Sequence, residues 1–248
     1  GELTPMEQKS YLASSLARQR DSGVPLSEFQ DLTVLFLQAA VDTTGSLVNW
    51  LVLNLAVEQR AQDALFEEIS ASLDGEDLSP EAFRSDAALP YLHAAVRESH
   101  RLTPTLAVSL TKSLAVSADI CGYRLPAGSI VALEALGAPN DPDLVENPES
   151  FMPERWLPDA VNARKGTPSE VIDHVLFKAP FSAGARMCPG SRVANLELLI
   201  IVATLVKDWR IELADEERER IQTIQDIDYY AGLTLKPARM PKLKFTAR

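Results

Sequence analysis

The chain has 248 residues, 46% hydrophobic and 24% charged, enough for one large core or two small ones and too apolar for disorder over most of its length. A formal net charge of −11 argues against a general affinity for nucleic acid or anionic lipid, leaving only local basic patches for such contacts. Two cysteines, Cys121 and Cys188, exclude a disulfide scaffold and a zinc ribbon and fit a reducing compartment. The opening residues read as neither signal nor transit sequence, and no run is expected to reach transmembrane length.

A short helix is predicted over residues 5–20, with a turn at 21–23. Ser27, with Gln30 three residues on, reads as a capping box opening a helix from 27 to about 59. Leu32, Leu35, Phe36, Leu47, Trp50 and Leu51 give it a wide apolar face. At a rise of ~1.5 Å per residue it would be on the order of 45 Å long, enough to cross a domain. Its middle, Ala39-Ala40-Val41-Asp42-Thr43-Thr44, puts an acid and two β-branched hydroxyl residues where a helix wants neither. Threonine hydroxyls compete for backbone carbonyls and can open a turn, and such local violations often mark function; a core helix whose threonines bond their own i−4 carbonyls is the plain alternative.

A helix to about residue 73, a polar loop at 74–78 and a short helix from 79, with Pro80 in its first turn, come next. The helix predicted at 90–102 is closed by Thr103-Pro104 and carries Glu98 and Arg101 on one face, which alone would be a solvated surface pair. Residues 106–138 alternate β-rich runs with turns at 121–123 and 126–128. Phe151-Met152-Pro153-Glu154-Arg155-Trp156 follows, and then a polar connector over 159–178 that reads as irregular.

Residues 181–190, Phe-Ser-Ala-Gly-Ala-Arg-Met-Cys-Pro-Gly, hold Cys188 in a tight loop where Gly184 and Gly190 permit close approach of a flat ligand. A mostly buried helix is predicted over 191–207, so its amino-terminal end faces the sulfur, and unpaired N–H groups there favour the thiolate that ligates metal. Arg186 adds a cation able to hold an anionic group. A small buried hydrophobe is the ordinary reading of a lone cysteine, and Cys121, in a turn-flanked strand, reads as structural filler. Strands are predicted at 209–213, 233–236 and 243–246, and no role is assigned to His93, His100 or His174.

Taken together, Phe181, Gly184, Arg186, Cys188 and Gly190 fit Phe-x-x-Gly-x-Arg-x-Cys-x-Gly and resemble the haem-binding loop of the cytochrome P-450 family. The stretch from Ala39 to Thr44 resembles that family's distal-helix motif Ala-Gly-x-Asp-Thr-Thr, with Ala40 where glycine is usual. Glu98 and Arg101 resemble its Glu-x-x-Arg helix and Arg155 the arginine of its Pro-Glu-Arg-Phe segment, which together imply a buried triad locking the haem loop's scaffold. The resemblance implies a mainly α fold with a small antiparallel β region, and places the whole of residues 1–248 in the carboxy-terminal half of that catalytic domain.

By the same resemblance, Cys188 is the proximal ligand of haem iron, in haem b (iron protoporphyrin IX), and Lys112 stands where an arginine often holds a propionate. Lysine keeps the charge without the bidentate fork. Asp42 and Thr43 are the expected proton-relay residues, Ala39 and Ala40 border bound O2, and Thr105, Leu106, Val108 and Leu233 border the substrate. The implied activity is O2-dependent hydroxylation or epoxidation of a small apolar substrate such as a sterol or lipid. A truncated fragment unable to bind haem, and a haem-thiolate isomerase or dehydratase, are the alternatives. Implied partners are an electron donor carrying electrons from NADPH, either a ferredoxin or a flavoprotein reductase, and the missing amino-terminal half; no nucleic acid is expected. Residues 106–158 and 192–198 look closest to the mitochondrial class, implying the mitochondrial inner membrane, with the endoplasmic reticulum as alternative. Arg97, Lys178, Arg192 and Lys207 are candidates for a basic patch facing an acidic ferredoxin.

Overall fold

A computed structural model describes residues 4, 10–72, 80, 82–178 and 181–248 of the chain, which forms two compact units, Gly1–Asp42 and Thr43–Arg248. In the first, helix α1 (Tyr11–Ser22) starts at Ser10, whose side chain accepts the Ala13 N–H, and stops at Gly23, left-handed at φ 70°. That is a position a side chain would resist, and it moves the expected turn to the far end of residues 21–23. Residues 5–9 of the predicted helix lie outside the described residues.

Helix α2 (Leu26–Val57) begins one residue before Ser27, so Ser27 sits inside the first turn and not at the cap position a capping box requires. The helix runs unbroken through residues 39–44, so the threonines do not open a turn. Contrary to expectation, α2 is long and apolar enough to cross a bilayer, yet half of its most apolar stretch is buried, as befits a central core helix. The predicted apolar face divides along its length, with Leu32, Leu35 and Phe36 exposed and Leu47, Trp50 and Leu51 buried.

In the second unit, the later turns of α2 pack with α3 (Gln59–Ser72), α4 (Pro90–Leu102) and α7 (Ser191–Asp208) around one apolar core. Leu51, Leu65, Leu92 and Val202 are among its fully covered members. Each such side chain contributes roughly 1.5–3 kcal/mol through burial. Polar groups inside this core are spent on joining elements. Asn54 of α2 donates to Ser99 Oγ (3.2 Å) and Thr103 Oγ1 (3.1 Å) at the end of α4. Ser46 Oγ and Trp50 Nε1 both donate to the Leu235 carbonyl, at 2.6 and 2.8 Å. Gln62 of α3 donates to the Ile211 carbonyl at 2.7 Å and accepts its N–H at 2.9 Å, so one amide acts as a strand partner.

After α4 come strands β1 (Val108–Ser113), β2 (Ala118–Ile120), β3 (Tyr123–Leu125) and β4 (Ile130–Glu134), paired antiparallel as β1 with β4 and β2 with β3. The 159–178 connector is not irregular. It is built from helix α5 (Pro158–Ala163), a tight turn of helix at Pro168–Asp173 and helix α6 (Val175–Lys178), the first two opened by prolines that suit a first turn. Beyond α7, strand β5 (Trp209–Leu213), the short helix α8 (Asp215–Arg218), and strands β6 (Tyr229–Ala231), β7 (Leu235–Pro237) and β8 (Leu243–Ala247) complete the chain. Here β5 pairs with β8 and β6 with β7, all antiparallel. Residues 73–79 and 81 lie outside the described residues, which covers the expected polar loop and the start of the short helix after it; Pro80 and residues 82–83 are in turns. The architecture is mainly α with small antiparallel sheets.

Candidate functional site

Helix α4 presents Glu98 and His100 on opposed faces. Glu98 is wholly buried, and its carboxylate collects five donors from three directions. Oε1 accepts Arg101 Nη2 (2.8 Å), Arg155 Nε (3.1 Å) and the Met152 N–H (3.0 Å), while Oε2 accepts Arg101 Nε (3.0 Å) and Trp156 Nε1 (2.8 Å). The expected triad of Glu98, Arg101 and Arg155 is therefore assembled, with Trp156 and a backbone amide as further members. Arg101 uses its remaining N–H groups on the carbonyls of Pro139, Pro148 and Ser150 and on Asn140 Oδ1, so one guanidinium ties four points of the chain between residues 139 and 150 to α4. Burial pushes the Arg155 guanidinium below its ordinary pKa, and the Glu98 charge opposes that shift.

The cluster extends outward through Arg164, which the sequence does not single out. Its guanidinium grips Asp173 through two bonds (2.6 and 2.7 Å), donates to the Arg155 carbonyl, and lies 5.3 Å above the Trp156 ring. The neighbouring Glu154 accepts Arg60 of α3 and the Tyr91 hydroxyl of α4 (2.9 Å). Burial and the Glu154 contact push the Tyr91 hydroxyl's pKa up. Glu68 of α3 accepts the N–H groups of Tyr91 and Leu92 at 2.7 and 2.8 Å, which caps α4 with a side chain from another helix. The positions of Glu98 and its arginines are thus set from α3, α4, the 153–156 turn and Arg164, just past α5.

On the other side of α4 lies the cysteine loop. The Cys188 N–H donates to the Phe181 carbonyl at 2.9 Å, closing residues 181–188 into a ring, and Met187 N–H bonds Gly184 O within it. Two left-handed residues lie within that closure, Ser182 at φ 63° and Gly184 at φ 76°, with Ala183 extended between them. Cys188 is half-buried, and a Cβ placed on Gly190 would stand 3.8 Å from its sulfur, so the sulfur sits beside the first turn of α7. No described atom lies within 4 Å of where a Cβ on Gly184 would stand, and Arg186 is exposed. The loop meets α4 through one contact between rings, His100 against Phe181, with centroids 6.0 Å apart and planes at 80°. Residues 179–180 lie outside the described residues.

The remaining predicted residues are more dispersed. Thr105 is buried and its carbonyl accepts the Leu235 N–H at 2.7 Å, Leu106 is half-buried, and Val108 and Leu233 are exposed. Lys112 is exposed on β1. Ala39 and Ala40 are exposed and Asp42 half-buried in the first unit, and Thr43 is half-buried in the second. Of the basic-patch candidates, Arg97 is ion-paired to Asp86, Arg192 is exposed, Lys207 is half-buried, and the Lys178 side chain lies outside the described residues.

Comparison with known proteins identifies the family. A sequence model of the family described as "Cytochrome P450" matches residues 4–241. The chain is 28% identical to Cytochrome P450 10 of Lymnaea stagnalis, covering 97% of this chain and 41% of that protein. It is 34% identical to ferruginol synthase of Salvia fruticosa, covering 74% and 36% respectively. With the mitochondrial sterol 26-hydroxylase of Homo sapiens it shares 28% identity over 86% of the chain and 37% of the enzyme. The chain thus spans about two-fifths or less of the length of these relatives. With a family match over nearly its whole length, the chain belongs to the cytochrome P-450 family.

Proposed function

We propose that this chain is the haem-binding, carboxy-terminal part of a haem-thiolate monooxygenase, with Cys188 as the iron ligand. The observation that carries the reading is the Cys188 loop. A half-buried sulfur lies beside the first turn of α7, its amide tied to Phe181, with open space next to Gly184. Those features fit the proximal side of an iron porphyrin, since cysteine thiolate is a haem-iron ligand and a flat macrocycle needs backbone free of Cβ atoms. When bound, thiolate-ligated haem supplies O2 activation, with electron density from sulfur favouring O–O bond cleavage.

The protein's own part is ligation, charge and proton handling. Cys188 offers the sulfur, beside the N-terminal turn of α7. The exposed Arg186 guanidinium is suited to a propionate, and Lys112 to a second carboxylate as a point charge. The Asp42 carboxylate and Thr43 hydroxyl would hold and pass protons, with Ala39 and Ala40 beside the O2 groove. Thr105, Leu106, Val108 and Leu233 would border the substrate. A small apolar substrate such as a sterol or lipid, to be hydroxylated or epoxidised, is supported by the likeness to an enzyme named as a sterol 26-hydroxylase. Electrons would come from NADPH through a ferredoxin or a flavoprotein reductase. Likeness to relatives named as mitochondrial supports the mitochondrial inner membrane over the endoplasmic reticulum.

A second reading, a fragment unable to close a haem pocket, is supported by the same partial coverage of the relatives. Haem titration of the chain, alone and with an amino-terminal half supplied from a relative, separates the two. Saturable one-to-one binding that Cys188→Ala abolishes supports the monooxygenase reading, and no binding in either format supports the fragment. In a loaded protein Thr43→Ala should divert electrons to peroxide, and unchanged coupling would remove Thr43 from the relay. The Asp42-Thr43 pair favours O2 chemistry over an isomerase or dehydratase.

A further inference from the structure

His100 is fully enclosed in the protein, 5% exposed, and neither of its ring nitrogens has a hydrogen-bond partner among the described residues. A neutral imidazole always carries one N–H and one lone pair, so two polar atoms are left dry at a position where leucine or phenylalanine would carry no such desolvation cost. The ring contact His100 does make is edge-to-face with Phe181, the first residue of the cysteine loop, and the carbonyl of Phe181 is what accepts the Cys188 N–H. On α4, residues 98 and 100 are separated by about 160° around the axis, so His100 points away from Glu98 and its arginines.

We infer that His100 is a positioning residue for Cys188, fixing the plane of the Phe181 ring and through it the carbonyl that holds the cysteine amide. A perpendicular pair sets an orientation because the electron-rich face of one ring meets the positive edge of the other. This ties the cysteine loop to the helix that anchors the Glu98 cluster, so that the two ends of the site share one rigid element. The inference rests on Cys188 as iron ligand only for its purpose; the coupling itself is a property of the haem-free chain.

The test uses the haem-free 248-residue chain and two substitutions. His100→Leu removes both dry nitrogens and should raise the unfolding midpoint, yet speed hydrogen exchange at the Cys188 amide and labelling of its thiol roughly two- to tenfold, the worth of one aromatic pair. His100→Phe restores an edge-to-face partner and should return both rates towards wild type. Opposite signs for global stability and loop protection are what a purely space-filling role cannot give. Unchanged exchange and labelling in a folded His100→Leu protein would overturn the inference. Should that variant fail to fold, Phe181→Leu decides instead. It should move the His100 ring-proton resonances by removing the ring current, and unmoved resonances would overturn the inference. Haem titration is a separate readout, so failure of the haem reading and failure of the coupling are distinguishable.

Discussion

Replacing Glu98 with glutamine changes one oxygen to an amino group and removes one charge, and the structure says what that does. The remaining oxygen serves best where three donors meet, at Arg101 Nη2, Arg155 Nε and the Met152 N–H. The new NH2 group then confronts Arg101 Nε and Trp156 Nε1, two donors that had an acceptor 3.0 and 2.8 Å away. Two guanidinium groups, with side chains 1% and 10% exposed, lose the anion that neutralised them. Breaking a buried pair in this way costs about 3–5 kcal/mol, roughly a fifth or more of the ~5–15 kcal/mol stability of an ordinary domain. Urea unfolding is the assay. With a slope of about 2 kcal/mol per molar, the midpoint should fall by about 2 M with the slope unchanged. Added salt should not shrink the loss, because screening acts on exposed charges and this cluster is covered. A midpoint within about 0.5 M of wild type would mean that the cluster does not hold the scaffold as argued.

Four further outcomes follow from the same geometry. Trp156→Phe, which restores the residue of the Pro-Glu-Arg-Phe segment, deletes a donor to a buried carboxylate and should cost about 2 kcal/mol by chemical denaturation; no loss would remove Trp156 from the cluster. Burial lowers the His100 pKa from 6.5 to about 4, so between those values the unfolded chain binds a proton that the folded chain refuses. Stability should therefore fall as pH drops from 6.5 towards 4, by about 3 kcal/mol in all, and His100→Leu should flatten that part of the profile. Gly184→Ala meets open space but a left-handed backbone, so the cost should be about 1–2 kcal/mol, read as faster hydrogen exchange confined to residues 181–190. Arg164→Ala frees Asp173 and uncovers the Trp156 ring, and should loosen the 153–156 turn in the same exchange experiment while leaving α4 protected.

The charged triad was legible only through the resemblance, because Glu98 and Arg101 one turn apart would otherwise read as a solvated surface pair, and nothing in the spacing alone ties them to Arg155. The cysteine loop was legible because its glycines and arginine sit at fixed distances from one sulfur. Trp156 and Arg164 were not, because their roles depend on a tight turn at 153–156 that brings an indole N–H inward and a guanidinium over its ring; no periodicity carries that. His100 was missed because its partner lies far along the chain and its signature, two dry nitrogens, exists only once burial is known. The 159–178 connector was misjudged because its prolines open short helices as readily as they break long ones. At Ser27 the capping pattern lost to a helix that starts a residue earlier, and β6 escaped notice because all three of its residues are exposed and show no alternation.

The most direct measurement is the ferrous carbon monoxide spectrum of the haem-loaded protein beside that of Cys188→Ser. Thiolate ligation from this loop predicts a strongly red-shifted Soret band that the serine variant loses while its fold is kept. A red-shifted band that survives the substitution would place the iron ligand elsewhere and contradict the account.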